Sequence, residues 1–347
     1  GIRKRFMVRR IGCDDRQIAR ICHRSAHQLF LTDCPSMQAR GLRMRFLAAC
    51  QGQSARLSPL AMGTHLLSLG HGYSAQALAR QLRPRGWDVT GTTRSVAKAE
   101  AMKAEGVKPL LWPGSGVTRA LDRASHLLTS IAPKDGTDPV LAALEDRIAE
   151  AAPKLKWVGY LSTIGVYGDH QGGWVDETTP LTPSTERGKD RVAAEAAWTD
   201  LAERSGLPLH IFRIAGIYGP GRGPFAKVRA GTARRIIKDG QVFSRIHVDD
   251  IAQVLLASIA RPNPGSVYNL CDDDPAPPQD VIAYAADLLG LPVPPDTPFE
   301  DADMSPMARS FYAESKRVRN DRIKDELGVT LLYPNYRVGL QALLDAD

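Results

Sequence analysis

From residue 62 onward the chain predicts an α/β fold, a parallel sheet covered by helices on both faces with a smaller C-terminal region docked against it. Three observations carry this. Strand-like and helix-like segments alternate regularly, as βα units require. The first strand runs into the first helix through a glycine-rich turn, Gly70-His71-Gly72-Tyr73-Ser74-Ala75. Beyond Gly219-Pro220-Gly221 the rhythm changes: proline and glycine become frequent and helices shorten.

The elements follow in order. Leu66, Leu67 and Leu69 form the apolar run of a first strand, and Ala75, Leu78, Ala79 and Leu82 recur at helical spacing after it. Residues 87–94 (WDVTGTTR) read as a second strand and residues 107–111 as a short third. Residues 125–131 (SHLLTSI) give a fourth, followed by a helix over 140–152 with Leu141, Leu144 and Ile148 on its apolar face. Residues 157–164 (WVGYLSTI) and 207–214 (LPLHIFRI) are the fifth and sixth strands, and the helix between them carries Val192, Ala193, Ala197 and Leu201. Past residue 220, a proline-rich stretch at 292–298 separates short helices near 281–289 and 320–327. The expected organisation is a core over 62–220 and a lid region over 221–347, with some segments returning to the core.

The glycine turn has a chemical reading. Gly70 permits a tight strand-to-helix turn, Gly72 lets the backbone approach a pyrophosphate, and Ala75 is small enough for the helix to pack on its strand. The phosphates would sit on free N–H groups at the helix start, beside Tyr73 and Ser74. A dinucleotide is therefore expected, in a Rossmann-type core. The end of the second strand selects which one. An acidic residue there would take a ribose 2′-hydroxyl, whereas arginine accommodates a 2′-phosphate. Thr92-Thr93-Arg94-Ser95 offers hydroxyls and a guanidinium, so Thr93 and Arg94 favour NADP(H) over NAD(H). The alternative is that Arg94 is an ordinary solvated arginine.

Charge is unevenly distributed. The chain carries a net +7, but residues 1–61 hold 12 Lys and Arg against 3 Asp, leaving the remainder slightly acidic. A nucleic-acid reading would rest on that segment alone and ranks last. Residues 1–61 also lack Tyr, Trp and Glu, and read as a largely disordered basic extension, or alternatively as a targeting peptide. Cys13, Cys22, His23, His27 and Cys34 lack the paired spacing of a zinc site, so no metal is expected. Cys271 stands alone in the body, which suits a reducing, cytoplasmic setting. No run approaches the roughly 20 apolar residues of a membrane span.

At the end of the fifth strand stands Leu161-Ser162-Thr163-Ile164-Gly165-Val166-Tyr167-Gly168. Here the chain resembles the short-chain dehydrogenase/reductase superfamily, in its extended branch of nucleotide-sugar epimerases and dehydratases. That branch places a hydroxyl residue four before the tyrosine of V-Y-G, and Thr163 matches, with Ser162 beside it. Arg213-Ile214-Ala215-Gly216-Ile217-Tyr218-Gly219-Pro220-Gly221 is similar to its R-x-x-x-[IV]-Y-G-P-G. His247-Val248-Asp249-Asp250 and Tyr268-Asn269-Leu270 resemble two further segments in the family's order. The resemblance implies a nicotinamide dinucleotide and a small substrate held between core and lid.

One departure stands out. The family's reaction centre is Y-x-x-x-K, often with a glutamate four residues after the lysine. Glu195 fixes the register and puts Arg187 in the tyrosine place and Arg191 in the lysine place. Arginine stays protonated, so Arg187 cannot be the acid/base, while Arg191 can still hold ribose or phosphate. A register shifted by two would instead use Lys189 with Thr185, losing the glutamate. Tyr167 has suitable chemistry but is usually structural in the family; His170 and Asp169 follow it on a loop. Asp249 or Asp250 is expected to cap a helix starting near Ile251, and Asp272-Asp273-Asp274 to form a solvated turn.

Two functions follow. One is an NADP(H)-dependent oxidoreductase or epimerase-like enzyme of an atypical subgroup lacking the tyrosine, in which Thr163 polarises a substrate oxygen and Arg187 and Arg191 bind an oxygen-rich or anionic group. The other is a non-catalytic NADP(H)-binding protein that reports redox state. Expected partners are a small molecule, with no nucleic acid and no membrane; a homodimer is compatible with either.

Overall fold

The computed structural model describes residues 64–347, so the basic extension and its Cys and His residues lie outside the described residues. In chain order the elements begin with β1 (His65–Leu69), α1 (Tyr73–Leu82), β2 (Asp88–Thr93), α2 (Val96–Ala104), β3 (Lys108–Leu111), α3 (Gly116–Arg123), β4 (His126–Thr129), α4 (Pro139–Ala151) and β5 (Trp157–Thr163). Next come β6 (Trp174–Val175), α5 (Glu186–Ser205), β7 (Leu209–Ile214), β8 (Gly216–Tyr218), α6 (Phe225–Arg229), β9 (Arg235–Ile237) and β10 (Arg245–His247). The chain closes with α7 (Val248–Ala260), β11 (Val267–Leu270), α8 (Pro278–Leu288), β12 (Asp296–Pro298), α9 (Pro306–Phe311), β13 (Arg317–Val318), α10 (Asp321–Asp325) and α11 (Tyr336–Asp345).

Seven strands form one sheet in the order β11-β7-β5-β4-β1-β2-β3, with every pairing parallel. This is the doubly wound Rossmann arrangement. Its order reverses between β1 and β4, the place where such sheets open a crevice beyond their carboxyl ends. Alternation along β1 feeds two cores. Leu66 faces the layer with Leu78, Leu82, Ile251 and Leu255, and Leu67 and Leu69 face the layer with Leu121, Leu144, Ile148 and Trp198.

Several expectations are corrected. On α5 the buried side is Ala194, Glu195, Trp198 and Leu201; Ala193 and Ala197 face solvent, because Trp198 dominates the contact with the sheet. Two helices are not among those expected from the sequence: α2 buries only Ala99 and Met102, so it has scarcely a stripe to detect, whereas the short α3 buries Val117, Ala120 and Leu121 at helical spacing. β11, beyond residue 221, pairs with β7 in the main sheet, a segment of the C-terminal region that returns to the core. No helix among the described residues is long and apolar enough to cross a membrane.

Candidate cofactor and reaction site

The crevice starts at Gly70. Its φ is +81°, and a Cβ there would lie 2.8 Å from Ile131 Cγ1, so both conformation and space demand glycine. Two bonds sew the turn to β2: Gly70 N–H donates to Thr92 Oγ1 (2.7 Å) and His71 N–H to Thr92 O (2.9 Å). Just past the end of β4, Ser130 Oγ donates to Gly70 O. The turn is thus fixed by both neighbouring strands before any ligand arrives.

Gly72 is the N-cap of α1 and supplies no side-chain acceptor, and no acidic residue stands in the first turn. The amides of Tyr73, Ser74 and Ala75 therefore lack a partner within the helix. A Cβ on Gly72 would meet nothing nearer than 3.9 Å, so the space above those amides is open. By contrast α2, α4 and α5 are capped by Ser95, Asp138 and Thr185. An anion fits the start of α1, which has positive dipole, free donors and room. Tyr73 donates its hydroxyl to Pro220 O (2.9 Å), tying the turn to the loop after β8. At the end of β2, Thr93 Oγ1 accepts from Ser95 N–H, and Arg94 is exposed with no ion pair among the described residues.

One residue of this turn carries no sequence signal. His71 is only 5 % exposed, and neither ring nitrogen has a protein hydrogen-bond partner. Burial pushes its pKa down to about 4, so it is neutral at pH 7.

On the far side of the crevice, β5 ends at Thr163. Its half-buried hydroxyl accepts from Gly165 N–H (3.2 Å) and caps the single turn Ile164–Tyr167. Ser162 and Tyr167 are enclosed instead, and belong to a buried chain of polar groups. Ser162 Oγ donates to Glu195, and Arg213 grips the same carboxylate through Nη2 (2.8 Å) and Nε. Arg213 Nη1 donates to the Tyr167 hydroxyl (3.0 Å), which donates to Asn269 Oδ1 (2.7 Å), while Asn269 N–H donates to Glu177 (2.8 Å). Burial alone would lower the Arg213 pKa, but the Glu195 carboxylate outweighs it and raises it. Burial pushes Tyr167 up to about 12, against Arg213 and its hydrogen bonds. A phenol so enclosed does not ionise near neutrality.

The two arginines differ. Arg191 is half-buried and donates to Tyr160 Oη (2.9 Å) and Leu161 O (3.0 Å), pinning α5 to β5. Arg187 is exposed in the first turn of α5, with its guanidinium carbon 4.9 Å from the centroid of the Phe311 ring on α9. His170 Nε2 lies 3.1 Å from Tyr167 O. For Asp169, burial is opposed by the N–H donors of Ser315 and Gln171, which hold its carboxyl below the usual range.

Two sequence expectations about aspartates fail here. The cap of α7 is His247, whose Nδ1 accepts from Asp249 N–H, because Asp250 is buried and taken by Leu332 N–H and Tyr333 N–H. Asp272 is not in a solvated turn: it is 2 % exposed, and burial pushes its carboxyl up to about 8.

The residues in the buried chain come from four separated motifs, V-Y-G, the Arg213 segment, Glu195 and Y-N-L, and they meet in space. The family model for the NAD dependent epimerase/dehydratase family matches residues 69–271, the span that holds all of them. The chain belongs to that family. This family member is 30% identical over 282 residues to Protein YeeZ of Escherichia coli (strain K12), covering 77% of this chain and 95% of the relative. A solved structure from Silicibacter pomeroyi DSS, described as a functionally unknown conserved protein, is 64% identical with a TM-score of 0.79 and covers 82% of this chain and 99% of its own. UDP-glucuronic acid 4-epimerase from Bacillus cereus, solved in complex with NAD, shares the fold at a TM-score of 0.64 and 17% identity, covering 81% of this chain and 98% of its own.

Proposed function

We propose that this family member is an NADP(H)-binding oxidoreductase of the subgroup without the tyrosine, acting on a small oxygenated substrate. The observation that carries this reading is the uncapped, open start of α1 beside a β2 end that bears Arg94 and no carboxylate. The amides of Tyr73 to Ala75 would hold the pyrophosphate, and Thr93 and Arg94 the 2′-phosphate. When bound, NADP(H) supplies the hydride chemistry. Thr163, whose hydroxyl hydrogen is not committed to a protein acceptor, would donate to the substrate oxygen. Arg191 would orient the ribose from the floor of the crevice, and Arg187 would meet the substrate from above.

The family's epimerase and dehydratase reactions begin with a tyrosine taking a hydroxyl proton. Arg187 stands in that tyrosine's place, and the nearest tyrosine in sequence, Tyr167, is enclosed between Arg213 and Asn269, with burial pushing its pKa up to about 12. This favours a reduction in which the hydride would come from the cofactor and the proton for the product oxygen from solvent, with Thr163 donating a hydrogen bond to that oxygen. It also supports a second reading, a non-catalytic NADP(H) sensor. A cytoplasmic setting belongs to either reading and is supported by Cys271 being a free buried thiol.

Titration by NADPH fluorescence tests the first claim: NADPH should bind more tightly than NADH, and Arg94→Ala should weaken NADPH by about tenfold while sparing NADH. Equal affinity for both cofactors would refute it. A panel of carbonyl and sugar-nucleotide substrates with absorbance readout separates enzyme from sensor. Turnover lost in Thr163→Ala identifies the enzyme, and tight NADPH binding without turnover identifies the sensor.

A further inference from the structure

Arg187 occupies the place of the family's reacting tyrosine, and it is exposed with its guanidinium over the ring of Phe311. Among the described residues its side chain makes no ion pair and no hydrogen bond; the ring of Phe311 is its contact. The carboxylates carried by the elements around it are engaged elsewhere. Glu186 pairs with Lys189 (2.7 Å), Asp190 accepts from Gly136 N–H (2.7 Å), and Glu314 pairs with Lys316 and accepts from Ser184. Its charge is unanswered. Phe311, 52 % exposed, leaves apolar surface bare beside the guanidinium, and Met307, one turn earlier on α9, is 62 % exposed and extends the bare apolar surface of that helix. A guanidinium lying over a ring keeps its N–H donors free along its edge, where they match the two oxygens of a carboxylate.

We propose that Arg187, Phe311 and Met307 form the substrate subsite, and that it takes a carboxylate carried on a flat, apolar or conjugated group. The carboxylate accepts two hydrogen bonds from the edge of Arg187, and the flat group lies against Phe311 and Met307. The core helix α5 thus supplies the charge and the lid helix α9 the apolar face. This deepens the oxidoreductase reading and rests on it for the neighbouring cofactor.

Calorimetric titration of the full-length protein with NADP⁺ present tests it, using trans-cinnamate as probe. Cinnamamide (the ring without charge), acetate (charge without the ring) and UDP-glucose serve as comparators. Cinnamate should bind about tenfold or more tightly than the other three. Arg187→Gln should abolish the advantage of cinnamate over cinnamamide, Arg187→Lys should restore part of it, and Phe311→Ala should weaken cinnamate while sparing acetate. Both side chains are exposed, and unchanged melting temperatures confirm that the variants fold. Equal binding of cinnamate and cinnamamide, an Arg187→Gln variant that keeps the difference, or preference for UDP-glucose overturns the proposal. NADPH binding is read separately. If it persists while the cinnamate preference is absent, this subsite is refuted alone; if NADPH fails to bind, the cofactor reading is refuted, and charge-dependent cinnamate binding still supports the subsite.

Discussion

Glu195 and Arg213 show how a residue can be legible in sequence while its work is not. Glu195 serves in sequence as a marker of register; in the fold it is a buried carboxylate that answers Arg213 and Ser162. Nothing in the local pattern announces this, because the partners lie 18 and 33 residues away on different strands. Removing one partner leaves the other charged and buried, which costs about 3–5 kcal/mol. Glu195→Ala should therefore lower the unfolding free energy by that order in urea denaturation, and Glu195→Leu combined with Arg213→Met should cost less than either single change. A loss below about 1 kcal/mol for Glu195→Ala would show that the chain of bonds does not hold the core. Arg187 makes the converse case: its identity is plain in the sequence, but its partner Phe311, more than a hundred residues on, belongs to a helix that the apolar pattern does not mark.

Among the elements, the strand-turn-helix unit of β1 and α1 was the most readable, since glycine at 70 and 72 has a steric cause that operates within a few residues. Replacing Gly70 with alanine forces a side chain into a left-handed φ and against Ile131. The expected cost is about 1–2 kcal/mol of stability, with NADPH binding weakened as the turn shifts, measured by thermal melts and cofactor titration; a variant that binds NADPH like the parent would show that the turn tolerates a side chain. Less readable were α2, with almost no buried stripe, and β11, four residues whose apolar content resembles many loops. At the start of α7, aspartate is the residue that propensity favours as cap. Tertiary contact decided otherwise: the amides of Leu332 and Tyr333 claim Asp250, leaving His247 to cap.

The molecule as a whole carries its own pH signature. Asp272 has a folded pKa of about 8 against an ordinary 3.8, raised by burial against the pull of Arg245. Between those values the native state holds a proton that the unfolded state has lost, so stability falls as pH rises. His71, His126 and His210 sit at about 4, lowered by burial from 6.5, so there the unfolded state binds more protons and stability falls as pH drops from 6.5 toward 4. Asp250, raised to about 6, only partly offsets them. Stability should therefore peak near pH 6.5, declining on the alkaline side by about 1.4 kcal/mol per unit for the one proton of Asp272. Denaturation curves from pH 5 to 8 should show Asp272→Asn flattening the alkaline limb and steepening the rise on the acid side, since its proton acts over the whole window; an unchanged alkaline limb would assign the proton elsewhere. The succession of strands along the chain was legible because each βα unit announces itself locally. The last strand was not, since β11 is separated from β7 by more than fifty residues and is recruited by pairing rather than by pattern.

That recruitment has a consequence for how the chain behaves when it is incomplete. β7 is buried along its whole length, and β11 covers its outer edge from Ile211 to Ile214. A nascent or cleaved chain ending near residue 220 would hold every strand of the phosphate-binding half and yet present an apolar, unpaired edge to its surroundings. Such edges pair with one another. The fragment would gather into insoluble aggregates before it could act as a free-standing cofactor module.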